Sequence, residues 1–142
     1  MSDQNKPRVR AIGGVFFRSK DSEATRNWYA KHLGLGVDAY GSNFAWRQYE
    51  HPERPGYTQW SPFKHETDYF GDQDQQFMIN YRVDNLEEMV KNLRRDGVEI
   101  VDDIQVEDYG KFVHIIDSDG RRVELWEPVD SGYEKMLDGV TK

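Results

Sequence analysis

Hydrophobic residues recur at helical spacing in two segments, residues 21–34 and 84–97. In the second segment, apolar side chains follow the i, i+3, i+4, i+7 spacing that places them on one helix face, namely Leu86, Met89, Val90 and Leu93. In the first segment, residues 24 and 28 and residues 29 and 33 form apolar i, i+4 pairs. Each segment begins at an aspartate and ends at a glycine, residue types that favour helix starts and ends. We therefore predict two amphipathic helices, each packed with one face on a sheet.

Runs of β-branched and aromatic residues on either side of these helices predict strands. We expect strands at 9–18, 37–40, 43–50, 57–61, 76–83, 98–106, 111–116 and 122–127. The Asp-Ser-Asp-Gly sequence at 117–120 is a strong hairpin signal. Residues 62–75 show little periodicity and predict a linker whose aromatic residues, Phe63, Tyr69 and Phe70, lie against the rest of the protein. A short terminal helix is predicted around 133–137.

The order of these elements repeats along the chain. Residues 21–34 match 84–97 at an offset of 63, and residues 57–62 match 123–128 at an offset of 66. The second match superposes Trp60 on Trp126 and Pro62 on Pro128. The sequence thus predicts an α+β fold of two tandem βαβββ modules. We expect one structural domain, with residues 8–74 forming the first module and linker, 75–130 the second module and 131–142 a C-terminal tail.

Composition excludes several classes of function. The 142 residues carry a net charge of −7 with scattered basic residues, so a nucleic-acid partner is not expected. Without cysteine, the chain has neither disulfides nor thiolate metal ligands. Residues 1–10 are polar, and no apolar run approaches the roughly 20 residues that cross a bilayer. We expect a soluble, cytoplasmic protein with no membrane partner.

Three local signatures carry a resemblance to a known family. They are Gly-Val-Phe-Phe-Arg-Ser-Lys-Asp at 14–21 with the helix that follows it, Arg-Val-Asp-Asn-Leu at 82–86, and the hairpin at 117–128. In this order they resemble the vicinal oxygen chelate (VOC) superfamily, which includes glyoxalase I, bleomycin-resistance proteins, fosfomycin-resistance enzymes and extradiol dioxygenases. The resemblance spans about residues 8–128 and implies curved mixed sheets around a cleft, helices on the outer face, and a homodimer.

Strand alternation indicates which side chains face that cleft. In the last strand, Val123 and Leu125 share one face and Glu124 and Trp126 share the other. Because the aliphatic pair suits packing on a helix, we expect Glu124 and Trp126 to point into the cleft. The resemblance implies that Gly14, Phe16 and Arg18 in the first strand, and Phe77, Ile79 and Tyr81 in the fifth, also line it.

The resemblance also raises the question of a metal. Metal-dependent members take a ligand, usually His, from the first strand of each module and a Glu from the last. The matching positions here are Gly14, Thr58, Phe77 and Glu124, of which only Glu124 is a strong ligand. We therefore predict no cofactor and no four-ligand metal site. A one-residue slip in the fifth strand would offer Gln76, and a shifted metal site would then combine Glu124, His114 and Gln76 or a loop histidine.

Among the four histidines, His114 is the candidate for chemistry. His32, at a helix end, and His51 and His65, in loops, are expected to be exposed. With an even hairpin loop His114 would pair with Val123 and face the helix; an odd or bulged loop would put it beside Glu124. In the second case the two residues would form an acid and base pair. The sequence leaves both registers open.

Aromatic residues and one arginine are the candidates for binding a ligand. The aromatic set is Trp46, Trp60, Tyr81, Tyr109, Phe112 and Trp126, with ordinary core packing as the alternative. Arg18 is a candidate anchor for an anionic group, with a surface ion pair as the alternative.

Together these observations predict a glyoxalase- or bleomycin-resistance-like protein that binds a small molecule. The leading hypothesis is a small-molecule-binding protein or enzyme without the usual four-ligand metal site. In the enzymatic case we expect a reaction of lyase or isomerase type with Glu124 and His114 as catalytic residues. One alternative is a non-catalytic protein that sequesters a drug or metabolite. Another is a metal-dependent lyase or dioxygenase with a shifted metal site. Whether the modules pair within or between chains is left open.

Overall fold

The computed structural model describes residues 6–141. In chain order the elements are β1 (Val9–Ser19), α1 (Ser22–Leu33), β2 (Ser42–Arg47), β3 (Pro55–Lys64), β4 (Phe77–Val83), α2 (Leu86–Arg95), β5 (Gln105–Glu107), β6 (Gly110–Ile116), β7 (Arg122–Pro128) and α3 (Asp130–Glu134). The predicted α+β class is confirmed. Residues 1–5 of the polar N-terminal stretch and Lys142 of the predicted tail lie outside the described residues.

The described strands form one curved mixed sheet in the order β2-β3-β1-β4-β7-β6-β5. In each module the first strand pairs in parallel with the last, β1 with β3 and β4 with β7. The antiparallel pair of β1 and β4 joins the two modules within one chain. No helix in residues 6–141 combines the length and hydrophobicity that a membrane crossing requires.

The two long helices begin and end near the predicted caps. The Asp21 side chain accepts a hydrogen bond from the Ala24 amide at the start of α1, and Asn85 does the same for Glu88 in α2. Gly34 and Gly97 end the helices with φ of 73° and 79°, a left-handed conformation that favours glycine. The apolar face of α2 packs on Val113 and Leu125. Helix α1 buries no residue fully and packs less tightly than predicted.

Three predicted strands are wrong or shortened. The strand predicted at 43–50 ends at Arg47, and the other two change at an aspartate. At 37–40 the chain turns, since Asp38 Oδ1 accepts hydrogen bonds from the amides of Tyr40 and Gly41. The place beside β2 is taken instead by Thr141 of the tail, which bridges to Phe44. At 98–106 only an isolated bridge at residue 100 and the short β5 form, because Asp102 turns its side chain to the backbone amide of β6.

The predicted linker is partly strand and partly a packed loop. Strand β3 runs on to Lys64, and the loop that follows places the Phe70 ring, 0% exposed, against Phe16 and Met78. The expectation that the linker aromatics lie against the protein is confirmed. The loop thereby comes to lie beside the central strands and brings Tyr69 to the site described next.

Candidate functional site

A cavity of about 350 Å³ lies between the sheet, the 65–75 loop and the C-terminal segment. Eight aromatic residues from both modules and from the tail line it, namely Phe16, Tyr40, Trp60, Phe63, Tyr69, Tyr109, Phe112 and Tyr133. Polar lining comes from Ser42, Asn43, Gln59, Ser61, Gln105 and three acidic residues, Asp38, Glu107 and Glu124. Such a mixture of apolar walls and a few polar groups is typical of small-molecule sites.

Glu124 is the buried carboxylate of this cavity and is only 2% exposed. Its strand alternates as predicted, with Leu125 turned to the α2 core and Glu124 turned to the cavity. Oε1 accepts a hydrogen bond of 2.6 Å from Asn80 Nδ2, and Oε2 accepts one from the Tyr69 hydroxyl. Three elements, β7, β4 and the 65–75 loop, therefore fix the orientation of one carboxylate.

His114 lies directly beside Glu124, which answers the question of register. The loop at 117–121 has an odd number of residues, and His114 pairs with Glu124 across β6 and β7. Its Nε2 lies 2.8 Å from Glu124 Oε2 without a well-aligned hydrogen bond. On the other side, Nδ1 lies 2.7 Å from Oδ2 of Asp102, whose other oxygen accepts a bond of 2.8 Å from the His114 amide.

These contacts change the pKa values of His114 and Tyr69. Burial alone would lower the pKa of His114, but the carboxylates of Glu124 and Asp102 outweigh it and raise that pKa above its ordinary value. Burial and the neighbouring Glu124 raise the pKa of Tyr69 strongly, so its hydroxyl stays protonated and donates. The site thus holds a carboxylate, a histidine that gains a proton easily and a hydroxyl donor within contact of one another.

The predicted cleft face of β4 is wrong by one residue. Met78 packs with Phe16 on the cavity side and Asn80 bonds Glu124, whereas Tyr81 packs against the α2 core on the other side. Phe77 is 56% exposed and borders no wall of the cavity. The irregularities in β1 near residues 9–11 and 12–14 shift its register against β4, and this shift defeats a simple transfer of positions between the modules.

The same register changes the positions that correspond to the family's metal ligands. Gly14 lies opposite Gln59 in the parallel pair of module one, and Asn80 lies opposite Glu124 in the equivalent pair of module two. Gln59 thus takes the place expected for Thr58, whose hydroxyl is bonded to Trp46 and to the Ile12 carbonyl.

This corrected set does not fit a four-ligand metal centre. Gly14 offers no side-chain ligand, Gln59 and Asn80 offer only uncharged amide oxygens, and no imidazole belongs to the set. Gln76, the alternative ligand, is exposed and bonds within the loop, at Gln73. Within residues 6–141, no three His, Asp or Glu side chains are grouped for a metal.

Arg18 lies away from the cavity and has neither predicted role. It is buried, and its guanidinium donates to the carbonyl oxygens of His65, Thr67, Asp72 and Gln75 at 2.6–3.1 Å. It lies over the Phe70 ring at 5.1 Å from the centroid. Its hydrogen bonds therefore fix the 65–75 loop, which holds Tyr69 in place.

The predicted aromatic set divides between the cavity and its surroundings. Tyr109 and Phe112 line the cavity, and Trp60 borders it while its ring contacts Phe17 and Tyr29. Trp126 is fully buried and stacks behind Phe112. Trp46 lies over Arg82 at a separate cleft, and Tyr81 is on the helix side. His32, His51 and His65 are exposed, as predicted.

The sequence analysis missed most polar residues of the site, among them Asp102, Asn80, Tyr69 and Gln59. Asn80 occurs two residues from Met78 on the same face of β4, so a correct register would have found it. Tyr69 and Asp102 come from irregular segments, where no periodic pattern shows which way a side chain points. The contacting Glu124, His114 and Tyr69 side chains form a group that can accept a proton from a ligand and pass it between the carboxylate and the imidazole.

Comparison with known proteins places this fold. A sequence model of the Glyoxalase/Bleomycin resistance protein/Dioxygenase superfamily matches residues 11–125. No curated protein matches the sequence.

Solved structures give the same fold at low identity. Methylmalonyl-CoA epimerase from Mycobacterium tuberculosis is 18% identical with a TM-score of 0.56, over 85% of this chain and 89% of that one. A Streptomyces coelicolor methylmalonyl-CoA epimerase variant, in complex with 2-nitronate-propionyl-CoA, is 13% identical with a TM-score of 0.62, over 86% and 99%. The Mn(II)-bound glyoxalase from Novosphingobium aromaticivorans is 19% identical with a TM-score of 0.52, over 86% and 40%. With the family match over most of its length, the chain belongs to the glyoxalase/bleomycin resistance protein/dioxygenase superfamily.

Proposed function

We propose that this protein is a proton-transfer enzyme of lyase or isomerase type that acts on a small carbonyl compound in the cavity. The observation that carries the proposal is the buried Glu124 carboxylate, which lines the cavity while Asn80, Tyr69 and His114 contact its two oxygens. A carboxylate held in this way is oriented before the ligand arrives, which favours general base catalysis.

The proposed step removes a proton from the carbon next to a carbonyl group. As the C–H bond breaks, a Glu124 oxygen forms an O–H bond and the electron pair moves onto the carbonyl oxygen as an enolate. His114, 2.8 Å from Oε2, takes up the proton from Glu124 or returns one to it. Reprotonation of the same carbon from its opposite face completes an epimerisation, which is an isomerase reaction; departure of a leaving group from the next carbon, with its bonding electron pair, completes a lyase reaction.

Hydrogen exchange tests this step directly. We expect carbonyl ligands that raise the melting temperature to exchange the C–H hydrogen next to the carbonyl for deuterium when incubated with the protein in D2O. Loss of that NMR signal, faster than in ligand alone, is the measurement. If every ligand that stabilises the protein keeps its C–H hydrogen, the enzymatic proposal fails.

We further propose that the step needs no resident metal. Support comes from the donor set, since the positions of the family's ligands hold Gly14, Gln59, Asn80 and a Glu124 already bonded to two neutral donors. We expect protein purified without added metal to contain substoichiometric Zn, Ni, Fe and Mn by elemental analysis. A stoichiometric metal, or strong stabilisation by one divalent ion that Glu124→Ala abolishes, would contradict this and favour a shifted metal site.

Sequestration without reaction is the second candidate function. The observation in its favour is that internal donors already engage both Glu124 oxygens, while eight aromatic residues line the cavity. In that case the carboxylate only shapes the cavity, and the rings bind a flat ligand by stacking. Tight binding of a ligand that never exchanges hydrogen would favour this function over the enzymatic one.

A further inference from the structure

The cavity has an uneven charge. Three carboxylates line it, from Asp38, Glu107 and Glu124, and no Lys, Arg or His side chain of residues 6–141 is part of the lining. Each of these acidic residues comes from a different part of the chain, namely the turn at 38–41, β5 and β7. A cleft lined by one sign of charge concentrates ions of the opposite sign.

Three arginines that contact residues around the cavity have partners of their own. Arg122 donates to the Tyr69 carbonyl oxygen at 3.3 Å and is not part of the lining. Arg18 donates its hydrogen bonds to loop carbonyls. Arg82 forms two hydrogen bonds of 2.9 and 3.0 Å with Asp130 and lies between the rings of Trp46 and Trp126. None of these guanidinium groups lines the cavity to neutralise its carboxylates.

His114 also leaves the charge uncompensated. It touches the carboxylates of both Glu124 and Asp102, so even a protonated imidazole leaves this group of three with one negative charge. The carboxylate of Asp38 is held by backbone amides of Tyr40, Gly41 and Gly139, which are neutral. Glu107 is exposed at the cavity edge and has no basic ion-pair partner among residues 6–141.

We infer that the ligand of this cavity carries a positive charge beside a flat or apolar body, as in an arylalkylamine, whose amino group is an ammonium ion at neutral pH. The inference rests on the proposed function only in taking this cavity as the ligand site. Carboxylates supply the attraction for the cation, and the faces of Tyr69, Tyr109 and Phe112 add cation–π and stacking contacts.

The same charges separate this protein from its structural neighbours. One neighbour binds 2-nitronate-propionyl-CoA, and a coenzyme A group carries several phosphate charges. A lining of carboxylates without a cation disfavours such anions. The fold is therefore shared while the charge preference of the ligand differs.

Three probes that share a phenylethyl body and carry a positive, a neutral or a negative end group test the inference. We would titrate the protein with 2-phenylethylamine, 2-phenylethanol and 3-phenylpropanoate at low salt and follow binding by calorimetry. The amine is expected to bind at least about tenfold more tightly than the carboxylate, with the alcohol between them. Added salt should weaken the amine selectively, because it screens the attraction.

A pair of matched variants locates the effect in the cavity. Glu107→Gln removes one charge at the cavity edge, and we expect it to weaken the amine by about threefold and to leave the alcohol unchanged. Glu99→Gln makes the same change at an exposed position outside the lining and should alter neither.

The possible outcomes distinguish this inference from the proposed enzyme. Equal binding of the three probes, tighter binding of the carboxylate, or no binding of the amine at about 10 mM would overturn the charge preference. Selective amine binding with no hydrogen exchange on any bound carbonyl ligand would support it while defeating the enzymatic proposal.

Discussion

Glutamine in place of Glu124 is expected to slow deuterium exchange of a bound carbonyl ligand by about 10²–10⁴-fold, the usual contribution of a general base. The amide has nearly the same shape as the carboxylate and still offers an oxygen to Asn80. It cannot accept a proton at neutral pH, so the exchange step loses its base. NMR-detected exchange of a ligand first identified by thermal shift is the measurement.

The control for this variant separates chemistry from binding. Uncharged ligand affinity should change little in Glu124→Gln, and Glu99→Gln, outside the cavity lining, should exchange at the original rate. His114→Asn is informative as well, because it removes the neighbouring proton acceptor but keeps the Glu124 base. Unchanged exchange in Glu124→Gln would show that another group is the base and would remove the central residue from the proposal.

The features that sequence analysis predicted correctly depend on local rules. The direction of Glu124 follows from alternation within a single strand, where the aliphatic Val123 and Leu125 face the helix. The α2 helix follows from spacing and caps that lie within a few residues. Each of these two features depends only on neighbouring residues in the sequence, so the α2 helix and the inward direction of Glu124 could both be predicted.

Features that the sequence did not reveal depend on register between distant strands. The position of His114 changes face with one residue in the hairpin loop, and the sequence left both possibilities open. Which β4 residues face the cavity depends on how β4 pairs with β1, and irregularities in β1 shift that pairing. The paired residues Gly14 and Asn80 are more than sixty positions apart in the sequence. An offset copied from the helices therefore selected Phe77 in place of Asn80.

Loops supply much of the remaining site, and they follow their own polar contacts. Asp102 leaves a predicted strand to bond His114, and Asp38 replaces another by a turn. Arg18 is a candidate for binding an anionic ligand because its strand faces the cleft. In the structure its guanidinium instead donates hydrogen bonds to four backbone carbonyl oxygens. A buried arginine that satisfies loop carbonyls has no sequence signature, since its partners are backbone atoms.

The largest loss of stability is expected from a substitution in the loop that Arg18 holds. Replacing Phe70 by alanine should lower the free energy of unfolding by about 3–5 kcal/mol, as for other fully buried Phe residues. The ring is 0% exposed and packs on Phe16, Met78 and Phe63 beneath the Arg18 guanidinium. Urea unfolding gives the value.

Phe77→Ala is the matched control for this loss. The same atoms are removed from a side chain that is 56% exposed, so the cost should stay below about 1 kcal/mol. Because Tyr69 precedes Phe70 and donates to Glu124, Phe70→Ala should also speed amide hydrogen exchange in the 65–75 loop and slow the proposed reaction. Equal costs for the two variants would mean that the loop does not depend on this buried ring, and the role of the loop in holding Tyr69 against Glu124 would have to be abandoned.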